Sequence, residues 1–312
     1  MFGFLARLFR RLFSSAEAGE DFIMRIQKGD IEYIVKVGVP TIEAPPTPGP
    51  RPLGNLYMVA EGVDVGSLLL TDPEALVYIL MSAEGVETIQ LRGEGRQVLD
   101  FIANTSKRYS TPIYVFSLVD SGELRVLAYK GFVTGIYYEQ GDKIYVGRQA
   151  IEALMREKLE PVHASVTYVR RTIMDWDDEK LSVYIRGLDN QHKYLVNTLN
   201  SLYHATVGGE GYKVLKDILT RLIEYTKFHF RSEEILMEKY DYPQDRFERH
   251  KAEHDSFVKA VSKFREKYER GEADLTIDVF KFLAHWVENH IAKTDRDYGI
   301  YFKKMGVASI VH

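Results

Sequence analysis

Cysteine is absent from this chain of 312 residues. Its absence excludes disulfide bonds, iron–sulfur clusters and thiol chemistry, and it is typical of proteins kept in a reducing cytosol. No apolar run approaches the roughly 20 residues that a membrane-spanning helix needs. We therefore expect a cytoplasmic protein that does not cross a membrane.

A strong excess of either charge is also missing, since the formal net charge is −4. No basic stripe is interleaved with exposed aromatic residues, so we expect no nucleic-acid partner. A nucleotide-binding fingerprint is missing as well, because Gly93-x-Gly95 is too short for one and better fits a tight turn. The length favours two domains, each large enough to bury a core.

The first thirteen residues, Met1 to Phe13, place apolar side chains on one side of a helical wheel and three arginines on the other. This pattern favours a helix that lies flat on an anionic membrane surface, which would hold the protein at the inner membrane face. A helix docked on a protein partner or on the protein's own body fits nearly as well. The sequence leaves both alternatives open.

Composition and periodicity predict an α+β N-terminal domain followed by an all-α antiparallel four-helix bundle. The predicted parts are a basic amphipathic helix at 1–20, an α+β domain of unknown role at 21–165 with a proline-rich loop at 40–52, a linker at 166–180, and the bundle at 181–312. Alternating residues around Gly29-Asp30 predict a β-hairpin. Further strands are predicted at 86–91, 113–119, 124–129, 132–138 and 143–146, and helices at 73–81, 94–105 and 148–158.

The C-terminal part spaces five histidines and two carboxylates along four amphipathic patterns, which predict helices at 187–206, 211–238, 244–270 and 275–294. In order they are His192 alone, His229-x3-Glu233, His250-x3-His254 and His290-x4-Asp295. Two residues four apart lie on one helix face, roughly 6 Å from each other, so both can reach a common point in a bundle. The four segments therefore predict one internal site.

The spacing of His290 and Asp295 does not fit a regular helix. Five residues turn about 500°, which leaves the two side chains roughly 140° apart. We expect the helix to end, tighten or bulge at this point, as helices at functional sites do in other proteins.

Imidazole and carboxylate groups together suit iron, and a carboxylate can bridge two ions. Seven groups are more than one ion takes, so the pattern predicts a pair of irons bridged by Glu233 and Asp295. A single His-x3-His or His-x3-Glu pair is more often part of a solvated helix face. Four such segments in order favour the common site.

From about Leu181 to Met305 the chain resembles the hemerythrin domains of bacteria and archaea. The resemblance is carried by Leu188-Asp189-x-Gln191-His192, His229-Phe230-x2-Glu233-Glu234, His250-x3-His254 and Trp286-x3-His290-Ile291-x3-Asp295. By motif position it implies seven metal ligands, which are His192, His229, Glu233, His250, His254, His290 and Asp295. It also implies an apolar oxygen pocket formed by Leu195, Phe230, Trp286, Val287 and Ile291, although these residues equally suit an ordinary core.

The resemblance implies a non-haem centre of two iron ions with an oxo or hydroxo bridge, which binds dioxygen reversibly for storage, delivery or sensing. One alternative is a di-iron oxidoreductase acting on peroxide or nitric oxide, for which the sequence offers no additional acid–base group beside the ligands. Another is an assembly protein whose N-terminal domain forms a homo-oligomer and carries the bundle as cargo.

Overall fold

The computed structural model describes residues 22–28, 31–37, 59–60, 63–120, 122–271 and 275–307. The amphipathic helix predicted at the N-terminus and the proline-rich loop predicted at 40–52 lie outside the described residues. The chain divides into two compact units, Met1–Leu56 and Tyr57–His312. The domain boundaries expected from the sequence remain a prediction.

In the first unit, strands β1 (Phe22–Lys28) and β2 (Ile31–Val37) pair antiparallel. The register places Lys28 opposite Ile31, which leaves a connection of two residues. A two-residue Gly-Asp connection suits the tight turn of a hairpin. The hairpin predicted from the alternating pattern is confirmed.

The second unit begins with a six-stranded sheet and its helices. The elements are α1 (Val63–Thr71), α2 (Pro73–Ser82), β3 (Ala83–Glu94), α3 (Gly95–Ser106), β4 (Ile113–Val119), β5 (Gly122–Tyr129), β6 (Phe132–Gln140), β7 (Lys143–Val146), α4 (Arg148–Leu154) and β8 (Lys158–Val169). The strand order is β3-β8-β4-β5-β6-β7, and neighbouring strands are antiparallel. The structure thus confirms the coarse prediction of a β-sheet-rich N-terminal region that is followed by a helical region.

Strand β8 was not predicted over most of its length, although it lies inside the sheet between β3 and β4; only its last residues, from Thr167, were expected to be extended. Pro161 argues against a central strand, because proline cannot donate a ladder hydrogen bond. The register resolves the conflict: Leu91 pairs with Val162 and Gly93 with Leu159, so Pro161 falls within a bulge. The pairing with β4 begins only at Ala164 and does not involve the proline.

Helix α1, also not predicted, packs against the part of β6 that β7 leaves unpaired. The hydroxyl of Ser67 accepts a hydrogen bond of 2.8 Å from the N–H of Ile136. Glycine at position 66 permits this approach, because a Cβ there would lie 1.9 Å from the carbonyl oxygen of Thr134. The helix therefore covers a strand edge that would otherwise be open to pairing.

The rest of the unit is helical. Its elements are α5 (Asp178–Leu181), α6 (Arg186–Val207), α7 (Gly211–Lys239), α8 (Gln244–Glu269), α9 (Leu275–Trp286), a π-helix (Val287–Asp295) and α10 (Arg296–Lys304). Helix α6 packs against α7, α7 against α8, α8 against α9, and α9 against α6. The first three predicted helices agree with these bounds to within one residue. The fourth predicted helix, 275–294, is not a single α-helix. Its α-helical part, α9, ends at Trp286, and the π-helix follows directly.

The helical region packs against the sheet region through α9 and α2. Lys281 of α9 contacts the carboxylates of Asp72 at 2.8 Å and Glu74 at 3.4 Å. His285, one turn later, contacts Glu74 at 2.6 Å. An edge-to-face ring contact between Tyr78 and Phe280 accompanies these ion pairs.

The segment before α6 is held by two polar side chains of that helix. The side-chain oxygen of Asn200 accepts hydrogen bonds from the N–H groups of Ile173 and Met174. Asp189 accepts hydrogen bonds of 2.8 Å from the Ser182 hydroxyl and the Val183 N–H. These contacts hold the preceding segment against α6, the helix that carries His192.

Among the helices that the structure describes, none is both long enough and apolar enough to cross a lipid bilayer.

Candidate metal centre

All seven candidate ligands lie in the interior of the helical region, where each is at most 2% exposed. They come from α6 (His192), α7 (His229 and Glu233), α8 (His250 and His254) and the π-helix (His290 and Asp295). Burial of a charged group is costly unless a partner compensates for the lost water. A cluster of seven ionisable side chains at this depth therefore requires a common explanation.

Local helix geometry brings each pair of candidate ligands onto one face. His229 and Glu233 are four residues apart on a regular α-helix and share a face. His290 and Asp295 are five apart, and the segment that carries them is a π-helix. Its hydrogen bonds join residues five apart, so the two side chains lie on the same side. His290 Nε2 and Asp295 Oδ1 are 3.0 Å apart, and the irregularity predicted from the spacing is confirmed.

The ligand atoms form two groups, and within each group they all lie within 4.8 Å of one another. One group has three imidazoles and the other has two, and both contain Glu233 and Asp295. The first consists of Glu233, His250, His254, His290 and Asp295, and the second of His192, His229, Glu233 and Asp295. The arrangement can hold two cations that share two carboxylates.

Each of the five imidazoles directs its Nε2 atom toward a carboxylate oxygen. The distances are 3.2 Å from His192 to Asp295, 3.7 Å from His229 to Glu233, 3.5 Å from His250 to Glu233, 3.1 Å from His254 to Glu233 and 3.0 Å from His290 to Asp295.

Nε2 of His192 and Nε2 of His250 form hydrogen bonds with Glu233, but the other three Nε2 atoms do not. Within the described part of the chain, no hydrogen-bond partner exists for Nε2 of His229, His254 and His290 or for either carboxylate oxygen of Asp295. A buried polar atom without a partner costs about 1–3 kcal/mol. Several donor atoms of the cluster are therefore buried together without a hydrogen-bond partner, and a cation coordinated between them would satisfy them.

The electrostatics of the centre are dominated by its two carboxylates. Burial alone would raise the pKa of Glu233, but the charge of His229 and hydrogen bonds to neighbouring imidazoles hold it well below its usual range. Burial would lower the pKa of His192, but Asp295 and Glu233 raise it to about 10. Burial prevails at His229 and lowers its pKa to about 4. The carboxylates thus stay ionised and favour positive charge at this depth, carried by protons or by metal ions.

Three of the imidazoles are oriented by a polar side chain that is adjacent in sequence to another candidate ligand and lies on a different helix. The Nδ1–H of His229 donates to Gln191 at 2.9 Å. In the same way His254 donates to Glu234 at 3.3 Å, and His290 to Glu253 at 2.6 Å. Each bond leaves Nε2 of that ring as the inward-facing nitrogen, which is how such partners orient metal-binding histidines.

These orienting residues were not assigned a role from the sequence. Gln191 and Glu234 appear in the motifs, and Glu253 does not. The available signal was their position beside a ligand: Gln191 precedes His192, Glu234 follows Glu233 and Glu253 precedes His254. Polar neighbours are common on helix surfaces, however, and the contact in each case is with a different helix.

A buried phenol is a further group that the sequence did not reveal. The hydroxyl of Tyr298 donates a hydrogen bond of 2.5 Å to Glu233 Oε1. Burial, together with the negative charge of Glu233, raises the pKa of Tyr298 well above its usual value. The phenol therefore keeps its proton and fixes one oxygen of the carboxylate shared by both groups.

The five residues predicted to form the oxygen pocket lie beside the imidazoles or in the surrounding core. The ring of Phe230 stacks on His254 with centroids 3.8 Å apart, and Trp286 stacks on His290 at 4.0 Å. The other three, Leu195, Val287 and Ile291, are buried. The pocket assignment remains a prediction.

The comparisons with known proteins concern the helical region. A family model described as the hemerythrin HHE cation binding domain matches residues 183–299. The bacteriohemerythrin of Methylococcus capsulatus is 35% identical over 127 residues, which are 41% of this chain and 95% of that protein. The bacteriohemerythrin of Pseudomonas aeruginosa is 36% identical over 123 residues, or 39% of this chain and 77% of that protein.

Among solved structures, a wild-type hemerythrin matches with 34% sequence identity and a TM-score of 0.37. The match covers 41% of this chain and 95% of that one. The family model and the two curated relatives together leave the six-stranded sheet region largely unmatched.

Proposed function

The chain belongs to the hemerythrin family, and from this premise we propose that its helical region holds two iron ions and binds dioxygen reversibly. The observation that carries the proposal is the convergence of buried donor atoms that have no hydrogen-bond partner among the described residues, the two oxygens of Asp295 foremost. The residues fit the metal in type, since imidazole and carboxylate ligands suit iron. They fit in number, since seven groups divide between two ions.

We assign His250, His254 and His290 to one iron and His192 and His229 to the other. Glu233 and Asp295, which belong to both groups of donor atoms, would bridge the pair. The position with two imidazoles has fewer protein ligands and therefore leaves room for dioxygen. When bound, two ferrous ions would supply the two electrons that reversible dioxygen binding requires.

The protein residues control water, orientation and charge around that chemistry. Burial of all seven ligands keeps bulk water from the centre, which slows irreversible oxidation. Gln191, Glu234 and Glu253 hold three of the imidazoles with Nε2 directed inward. The predicted pocket of Leu195, Phe230, Trp286, Val287 and Ile291 would present an apolar surface to the gas.

The balance of ligands favours a carrier over an oxygenase. Two carboxylates donate less negative charge to the metals than the four found in carboxylate-rich di-iron sites. The buried phenol of Tyr298 keeps its proton and donates a hydrogen bond to Glu233, while Glu234 and Glu253 accept hydrogen bonds from ligand imidazoles. This arrangement supports the oxygen-binding alternative over the peroxide or nitric oxide reductase.

The finer architecture belongs to the proposal as well. Short connections between the long helices support an antiparallel four-helix bundle, as in the family. The N-terminal parts would serve a membrane surface, a protein partner or assembly, and the site of action would be cytoplasmic.

Anaerobic reconstitution with ferrous iron tests the function. We expect about two irons per chain and a visible absorption change on oxygenation that reverses when oxygen is removed. His254→Ala should lose both properties, whereas His285→Ala, which alters a histidine of the same region outside the centre, should keep both. One iron per chain, or a spectrum that oxygen does not change, would refute the carrier, and turnover of peroxide or nitric oxide with a reductant would support the enzyme.

A further inference from the structure

Helix α7 exposes two large apolar side chains on its outer side. Phe228 is 62% exposed and Ile235 is 47% exposed. They are seven residues apart, which is close to two helical turns, so they lie on one line along the helix. Single exposed apolar residues are ordinary on protein surfaces, but an aligned pair marks a candidate contact surface.

Charged residues extend this line symmetrically. Glu224 lies four residues before Phe228, and Lys239 lies four residues after Ile235. Both charged residues are exposed. The four positions are therefore acidic, apolar, apolar and basic in order, and the exposed Arg231 lies between the two apolar residues, next to the midpoint of the line. We call these four residues, Glu224, Phe228, Ile235 and Lys239, the outer stripe of α7.

A pattern of this kind is complementary to its own antiparallel copy. When two such helices pack antiparallel about the midpoint, Phe228 of each faces Ile235 of the other. Glu224 of each then faces Lys239 of the other, so both ends carry opposite charges. A two-fold symmetric interface requires this self-complementarity, because every contact occurs twice.

We propose that the outer stripe of α7 is the surface through which two copies of this chain form an antiparallel dimer. Residues 224–239 span about 22 Å of helix at 1.5 Å per residue. This length suits a small interface that forms in a concentration-dependent way.

One residue near the two-fold axis needs a partner for its charge. Arg231 would lie close to Arg231 of the second copy. Its guanidinium is 3.9 Å from Glu234 and 3.8 Å from Glu238 in the same chain. These carboxylates offset the like charges at the centre of the interface.

The interface uses none of the candidate ligand atoms, so the dimer proposal does not depend on the proposed oxygen binding. Helix α7 nevertheless carries His229 and Glu233 on its inner side. The dimer would thus join two chains through the helix that supplies one ligand to the two-imidazole group and one of the two shared carboxylates.

Sedimentation equilibrium of the full iron-loaded chain tests the proposal. We expect a monomer–dimer equilibrium. Phe228→Glu should raise the dimer dissociation constant about a hundredfold, because the contact occurs twice in the dimer and each loss should cost about tenfold. Met305→Glu is the matched control, because Met305 is also 62% exposed but lies elsewhere. Circular dichroism and the iron content of both variants confirm that they fold.

Reversing the charges of Glu224 and Lys239 tests whether these two residues face each other across the dimer interface. Glu224→Lys alone and Lys239→Glu alone should each weaken the dimer about three- to tenfold, because each change places like charges together at both ends. The double variant restores opposite charges and should dimerise as the wild type does. A monomer at every concentration would overturn the proposal, as would a dimer that Phe228→Glu leaves intact or single charge variants that the double variant does not rescue.

Discussion

The sheet region and the helical region both bury ionised side chains, but they compensate for the cost differently. In β5, the guanidinium of Arg125 contacts the carboxylate of Glu123, donates a hydrogen bond of 2.9 Å to the Leu70 carbonyl and lies 4.5 Å from the ring centre of Tyr137. In the helical region, Asp295 has close neighbours but no hydrogen-bond partner within the described residues.

The difference separates a buried charge that the protein compensates by itself from one that we propose binds a metal ion. The Arg125–Glu123 pair is complete within the protein, because each ion has its counterion and further contacts. The two carboxylate oxygens of Asp295 have no such partner among the described residues, and under the proposed function a bound cation would supply it. Equivalent changes in the two regions should therefore have different consequences.

The largest effect is expected from Glu233→Ala, because this carboxylate belongs to both groups of donor atoms. In the wild type, each bound ion should stabilise the fold by about 4 kcal/mol when free iron is at 1,000 times its dissociation constant. The variant should lose most of this gain, which thermal unfolding with iron and with a chelator would measure. An equal iron-dependent gain in the variant would contradict the assignment.

The matched change in the sheet region is Glu123→Ala, which leaves Arg125 buried without its counterion. We expect a loss of about 3–5 kcal/mol in the free energy of unfolding, measured by denaturant titration. The number of irons bound should stay the same as in the wild type. Loss of iron from this variant would contradict the account, because it would show that iron binding in the helical region depends on the charge pair in the sheet region.

A smaller effect should follow from Glu253→Gln. The amide can still accept the hydrogen bond from His290, but it removes the negative charge that strengthens this ligand. Changes in such orienting partners lower metal affinity by about 10–100-fold, and competition with a chelator of known affinity would measure the loss. Glu248→Gln, on the exposed face of the same helix, is the control; an equal loss there would point to a nonspecific charge effect.

The smallest effect concerns the ion pair between the regions. The hydrogen bond that His285 donates to Glu74, together with the negative charge of Glu74, raises the pKa of His285. This contact should stabilise the fold fully below the usual histidine pKa of about 6.5, and its contribution should disappear as pH rises through the raised value. Burial would raise the pKa of Glu74, but His285 and Lys281 lower it, so the carboxylate remains ionised in this range.

The measurement compares the metal-free wild type with metal-free His285→Gln. The wild type should be the more stable protein at about pH 5.5, below the usual histidine pKa, and the difference should disappear as the pH rises through the raised pKa of His285. A difference that grows with rising pH would contradict the assigned direction of the shift.

Much of the centre could be predicted because helical spacing constrains it. His229-x3-Glu233 and His250-x3-His254 each specify a shared face, and the mismatch between His290 and Asp295 predicted an irregular helix. The division of the histidines into three and two could not be predicted, because it depends on how the four helical segments pack. The orienting contact of Glu253 was hidden for the same reason, since it joins two helices.

The sheet region was less predictable because its contacts are long-range. Strand β4 could be predicted from its continuous apolar run, and its bounds agree with the structure. The first part of strand β8 could not, because the bulge that accommodates Pro161 depends on pairing with β3, far away in the sequence. Helix α1 was missed because its role depends on the open edge of β6.

The central claim is that seven buried side chains hold two iron ions in two distinguishable positions. Anomalous scattering at the iron edge from crystals of the reconstituted protein tests it most directly. Two peaks per chain are predicted, one beside His250, His254 and His290 and one beside His192 and His229, with Glu233 and Asp295 contacting both. A single peak, or peaks away from these side chains, would contradict it.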